Sequence, residues 1–287
     1  MKIASIFCVE RKKLYKMAKI RYDIPSNIPL EAHFMTKKKL GKIIYWGLMA
    51  IFCSVFVISA ILLIRYGINT FVGKQLFSEL AAMHTTSADG PDNDSPILEE
   101  LQAIYELNND VVGWITIEGT NINYPVMQTP KDSDYYLHTS FYHDYADEGC
   151  LYVRAACDVF RPSDNITIYG HNMLNGSMFR HLHKYKEKNF YETHKYIQFD
   201  TLYERHTYEI IAVFQTSGTY GQGFAYHLFD EAKNQEAFDA FVAECKALGL
   251  YDIPITAEYG DKLITLSTCD KTALDNGRLV VVAKRTS

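Results

Sequence analysis

No repeat recurs along this chain of 287 residues, and its six cysteines show no spacing that would staple a small domain or frame a zinc ion. Cys150 and Cys157 fall on one strand-like run, seven residues apart. At ~3.3 Å per residue their Cα atoms stand far beyond the ~7 Å that a disulfide can bridge. Positive charge is scarce after the first quarter of the chain: beyond Arg65 there are 17 Lys/Arg against 31 Asp/Glu. No basic stripe survives there, which excludes nucleic acid as a partner. The long apolar run exceeds a signal-peptide core and no clear small-x-small cleavage site follows it before the folded part, which argues against a removable signal peptide.

What is present begins with that run. Ile43 to Ile64 are 22 residues without a charge, enough to span a bilayer as a helix, with no amphipathic face that would suit a buried core helix. Tyr45 and Trp46 match an interfacial aromatic belt. Residues 1–42 hold eleven Lys/Arg against Glu10, Asp23 and Glu31, so the positive-inside rule leaves the N-terminus in the cytoplasm and the C-terminal bulk outside. The expected division is a basic cytoplasmic segment over 1–42, a transmembrane helix over 43–64, a juxtamembrane helix and polar linker over 65–95, and an extracellular domain over 96–287. Translation could begin at Met1, Met17 or Met35.

The hydrophobic period predicts a helix after Ser95, with Pro96 in its first turn, through Leu107. From Val111 the period becomes two. Val112–Ile117, a turn at Glu118-Gly119 and Ile122–Met127 read as a hairpin, and further strands are expected at 149–156, 166–172, 195–200, 206–216, 262–269 and 278–284. Helical stretches are expected at 177–186, 188–194 and 230–248. Eight or so strands with short helices fit a closed β-barrel with helical insertions.

Three strand ends carry chemistry. Leu263–Cys269 delivers a thiol to its tip, Arg278 opens the strand through Ala283, and Ile166–Asn172 carries His171 near its end. A thiol with an imidazole partner and a fixed cation to face a developing oxyanion makes a catalytic set. The alternative reading of Cys269 is a packed structural thiol, the commoner fate of free cysteines.

Val112-Gly-Trp-Ile-Thr-Ile117, Thr120–Gln128, Tyr169-Gly-His-Asn-Met173, Thr265-Leu-Ser-Thr-Cys269 and Gly277-Arg-Leu-Val-Val-Val282 together resemble the sortases, the cysteine transpeptidases of Gram-positive cell surfaces, and among them class B. The matching segments cover residues 96–285. The resemblance implies a mainly β fold, a closed eight-stranded sortase-type barrel with helical insertions behind a transmembrane helix. It implies Cys269 as nucleophile, His171 as acid and base, and Arg278 as oxyanion donor or substrate clamp. It also implies a substrate: a C-terminal sorting signal of the Asn-Pro-x-Thr-(Asn/Gly) kind on a secreted protein. The signal would be cut after Thr, and the acyl group passed to a peptidoglycan cross-bridge amine, without metal or cofactor. Substrate contacts fall by the same resemblance on Leu137 in the Asp134–Leu137 segment, on Phe224 and Ala225, and on Ser267 and Thr268.

Other signals have simpler readings. His181 and His183 sit two apart in an expected helix, where they share no face, and read as surface histidines rather than ligands. The sequons at Asn165 and Asn175 are expected to be inert. Asp270 follows the nucleophile on a strand, so its side chain points to the opposite face and is not expected to orient His171. The rival functions are a pilin-polymerising sortase, a cysteine-dependent L,D-transpeptidase and a membrane-tethered binding module. Thr268 before the cysteine and the nine-residue gap to Arg278 disagree with the L,D-transpeptidase pattern.

Overall fold

The computed structural model describes residues 37–86, 96–129, 132–219, 221–272 and 276–287. Most of the basic segment, with Cys8, Met17 and Met35, and linker residues 87–95 lie outside these. The chain divides into two units at Ile61/Leu62. The described part of the first belongs to helix α1 (Lys37–Thr86). Trp46, Phe52 and Phe56 are each more than 60% exposed, and none of the most apolar window of α1 is buried. A helix that is apolar all round suits hydrocarbon rather than water, which fits membrane anchoring.

The second unit is a closed barrel of eight strands: β1 (Val111–Thr116), β2 (Asn123–Met127), β3 (Leu151–Val153), β4 (Asn165–Tyr169), β5 (Tyr196–Thr201), β6 (Thr207–Ser217), β7 (Leu263–Cys269) and β8 (Gly277–Arg285). Their order around the barrel is β1-β2-β3-β4-β7-β8-β6-β5, with β2/β3 and β4/β7 parallel and the other pairs antiparallel. The period-two pattern produces this closure. Ile264, Leu266, Leu279 and Val281 join the main core, while the alternate residues Leu263, Val280 and Val282 pack against helix α4 (Gln235–Ala247) through Phe238, Phe241, Val242 and Cys245. Burial on both faces explains why β7 and β8 read as nearly unbroken apolar runs.

Several elements differ from expectation. Helix α2 spans Glu99–Leu107 and starts three residues late, because the Leu98 N–H bonds to the Leu202 carbonyl at 2.7 Å and holds the preceding backbone extended. Helix α4 starts at Gln235, where the Asn234 side chain accepts the Ala237 N–H; upstream, Asp230 is engaged with Arg154 and Asn165. Strand β3 keeps only three residues of the expected eight. The stretch Phe179–Lys186 is a 3-10 helix, followed by helix α3 (Lys188–Thr193). The packed unit also begins well before residue 96. Phe77 and Leu80 of α1 are buried in the main core, Phe77 edge-on to Tyr124 at 5.2 Å, and His84 stacks on Trp114 at 4.4 Å.

Candidate active site

Strand pairing builds the site. β4 and β7 run parallel with Tyr169 opposite Ser267, and the lacing continues past β4: the Gly170 N–H reaches the Ser267 carbonyl (3.2 Å) and the Thr268 hydroxyl reaches the Gly170 carbonyl (2.8 Å). His171, two residues beyond the strand rather than on it, is thereby carried to the end of β7. In the antiparallel β7/β8 pair Cys269 stands directly opposite Arg278. His171, Cys269 and Arg278 line one cleft of about 330 Å³. Leu137, Ser267 and Thr268 line it too, together with Ser133, Asp134, Tyr152, Arg154 and Tyr169. A larger cavity of about 420 Å³, between α1 and the 140–149 loop, contains neither thiol nor imidazole.

The imidazole is oriented by the chain. Nε2 of His171 lies 2.9 Å from the Leu137 carbonyl. A carbonyl only accepts, so Nε2 carries the proton and Nδ1 keeps its lone pair. Burial lowers the His171 pKa below its ordinary 6.5, and neighbouring His138, 5.2 Å away ring to ring, pushes the same way against the opposing carbonyl bond. The neutral base is therefore the resting form. Leu137 thus touches the cleft and also sets the tautomer.

Arg278 is held from behind: Nη1 donates to the Asn276 side chain (2.9 Å) and to the Asn276 and Gly277 carbonyls. Gly218 leaves room for it, since a Cβ there would sit 2.9 Å from Cζ. Cys269 is partly exposed, whereas Cys150, Cys157 and Cys245 are buried, and burial pushes all three thiols up in pKa. Among the described residues of the barrel unit, Cys269 is the accessible thiol. None of the described cysteines is in a disulfide, and no described group of three or more His, Cys, Asp or Glu could hold a metal ion.

Some residues singled out in the sequence sit elsewhere. Phe224 packs between Phe214 (5.9 Å) and Phe241 (5.6 Å) in the outer cluster, and Ala225 opens the 3-10 turn Tyr226–Leu228; neither lines the cleft. Their neighbour Tyr226 reaches inward to the Ser267 hydroxyl (2.6 Å). Asp270 lies just past the end of β7, and its carboxylate is engaged by other groups than His171. It is buried, paired with Lys186 (2.7 Å) and bonded by Gln215 and Thr272. Those bonds outweigh burial and hold its carboxyl well below the usual carboxylate range. Asn165 is fully buried between Thr265 and Phe229, so its sequon is inaccessible. His183 is no surface histidine: its Nε2 lies 3.1 Å from the Cys269 carbonyl. Tyr152 (bonded to Asp134 at 3.3 Å) and Arg154 carried no motif, and only the barrel's closure brings them to the cleft.

A thiol, an oriented base and a guanidinium in one cleft of an eight-stranded barrel define a cysteine acyl-transferase. The Sortase domain family model matches residues 115–286. Sortase B of Listeria monocytogenes is 31% identical over 210 residues, 73% of this chain and 83% of that protein. The solved sortase B of B. anthracis in complex with AAEK1 is 29% identical, with a TM-score of 0.66 over 77% of this chain and 99% of that one. The Staphylococcus aureus sortase B–substrate complex is 25% identical with a TM-score of 0.68 over the same shares. This chain belongs to the sortase family, in class B, and is a cysteine transpeptidase. The readings as an L,D-transpeptidase or a tethered binding module are thereby set aside.

Proposed function

We propose that this sortase anchors surface proteins by cutting a C-terminal Asn-Pro-x-Thr-(Asn/Gly)-type signal after Thr and passing the acyl group to a peptidoglycan cross-bridge amine. The observation that carries this reading is the convergence of His171, Cys269 and Arg278 on one cleft, from three strand ends. The substrate complex of the S. aureus relative supports a peptide as the occupant of the cleft.

The chemistry follows from the atoms. Nδ1 of His171 takes the thiol proton, and the thiolate attacks the Thr carbonyl carbon. Arg278 donates to the oxyanion that develops. The carbon–nitrogen bond breaks as imidazolium protonates the departing amine, leaving a thioester. The incoming amine attacks, loses a proton to His171, and expels the thiolate, which recovers that proton. Ser267 and Thr268 line the same cleft as peptide-contacting residues. The proposed topology is single-pass with the N-terminus cytoplasmic, a basic segment over 1–42, a span over 43–64 and the catalytic barrel outside. The expected partners are the sorted secreted proteins and the wall precursor or cross-bridge, with no cofactor.

The test is Cys269→Ala assayed on a fluorogenic Asn-Pro-x-Thr-type peptide. Cleavage should vanish while thermal unfolding stays unchanged, and retained turnover would remove the nucleophile assignment.

A further inference from the structure

The 3-10 stretch Phe179–Lys186 repeats every three residues, so Arg180, His183 and Lys186 are eclipsed on one face. In an α-helix the same three would drift around the axis by ~60° at each step. That face meets the end of β7. Arg180 Nη1 donates to Asn172 Oδ1 (2.9 Å), and Asn172 Nδ2 donates to the main-chain carbonyl of Cys269 (3.0 Å). Nε2 of His183 lies 2.8 Å from Asn172 Nδ2 and 3.1 Å from the same carbonyl. One turn on, Lys186 pairs with the buried carboxylate of Asp270 (2.7 Å) and donates to the Thr272 hydroxyl (2.8 Å). None of Asn172, Arg180, His183 or Lys186 lines the cleft.

Cys269 is the last residue of β7, where the ladder that fixes backbone direction stops. Beyond it the chain is held by the Asp270 N–H bond to the Gly277 carbonyl and by this helix face. We infer that Asn172 and His183, backed by Arg180 and Lys186, form a positioning clamp on the Cys269–Asp270 main chain that aims the thiol without touching substrate. The inference rests on Cys269 being the nucleophile. Such a clamp has a kinetic signature. A displacement of about 1 Å in an attacking atom lowers the chemical step by ~10²-fold while leaving the substrate's binding contacts in place.

The experiment uses the full-length protein in detergent and the fluorogenic Asn-Pro-x-Thr-type peptide. His183→Ala and Asn172→Ser should each lower kcat by about tenfold to a hundredfold with KM within about twofold. His183→Gln, whose amide offers an N–H to the Cys269 carbonyl and an oxygen to the Asn172 N–H, should recover most of the loss. Wild-type kcat in both variants overturns the clamp, as does a fall in kcat that tracks a lowered Tm and is not recovered by Gln. If His183→Ala does not fold, Asn172→Ser carries the same expectation. A methanethiosulfonate arm separates the two claims. If a Cys269 adduct located by mass leaves wild-type turnover intact, the nucleophile reading falls and the clamp with it. If the adduct abolishes turnover while both variants turn over normally, the clamp alone falls.

Discussion

Arg278→Lys separates charge from geometry at the site. Arginine carries five N–H donors in a planar fork. In this structure Nη1 is committed to Asn276 and Gly277, which leaves Nε and Nη2 for a ligand in the cleft. A lysine ammonium keeps the charge but has one nitrogen, which cannot both satisfy the Asn276 turn and direct a hydrogen bond at an oxyanion. Removing an oxyanion donor typically costs about 2.7–4 kcal/mol, or 10²–10³ in turnover. Retained charge should restore part of that, so Arg278→Lys is expected to be at least about tenfold slower, equivalent to ~1.4 kcal/mol in the barrel's chemical step. Asn276→Gly supplies the control. Asn276 has a φ of 54°, which glycine adopts without strain, so this change removes the side-chain tether and keeps the backbone. Its effect should be smaller than that of Arg278→Lys. Single-turnover acylation of the Asn-Pro-x-Thr-type peptide reads the step directly. Wild-type acylation with lysine would reduce Arg278 to a general positive field, and a loss confined to KM would make it a clamp on the bound ground state.

Removing the base by His171→Ala should slow acylation by about 10²–10⁴-fold, the usual contribution of general acid–base catalysis, and normal rates would make His171 structural. Because burial and His138 hold the His171 pKa below 6.5, the acid limb of kcat/KM should have its midpoint below that value, with activity lost as pH falls through it. The associated stability runs the same way: it is complete above the unfolded value and declines as the buried imidazole is forced to charge. His138→Ala should move the limb upward, and a limb at or above 6.5 in the parent would contradict the burial argument. Leu80 is 1% exposed against the barrel, so Leu80→Ala in a fragment spanning 62–287 should cost about 2–5 kcal/mol. At ~2–4 °C per kcal/mol this lowers Tm by about 4–20 °C, whereas Val72→Ala on the exposed face should shift it little. A fragment starting at 96 with the same Tm as one starting at 62 would show that α1 adds nothing to the barrel.

The long apolar helix, the strands and the three residues that meet in the cleft were legible in the sequence because each depends on local pattern. An uncharged run from Ile43 to Ile64 has few alternatives to a span, and period-two alternation names strands whatever they later pair with. The thiol, imidazole and guanidinium could be named because each sits at or just past the end of such a run. Pairing is different in kind. Gly170 and Thr268 are 98 residues apart, and only closure of the barrel with β4 parallel to β7 brings His171 to the same cleft as Cys269. The Leu137 carbonyl that fixes the His171 tautomer and the arrival of Tyr152 and Arg154 at the cleft depend on the same closure. So does the retreat of Phe224 into the outer cluster. The helix at Phe179–Lys186 was visible, but not its tighter winding, and that winding sets Arg180, His183 and Lys186 on one face against the end of β7. Local periodicity is set by backbone sterics within a few residues. Register, closure and burial are set by contacts between segments far apart in the chain, and those existed only once the barrel had formed.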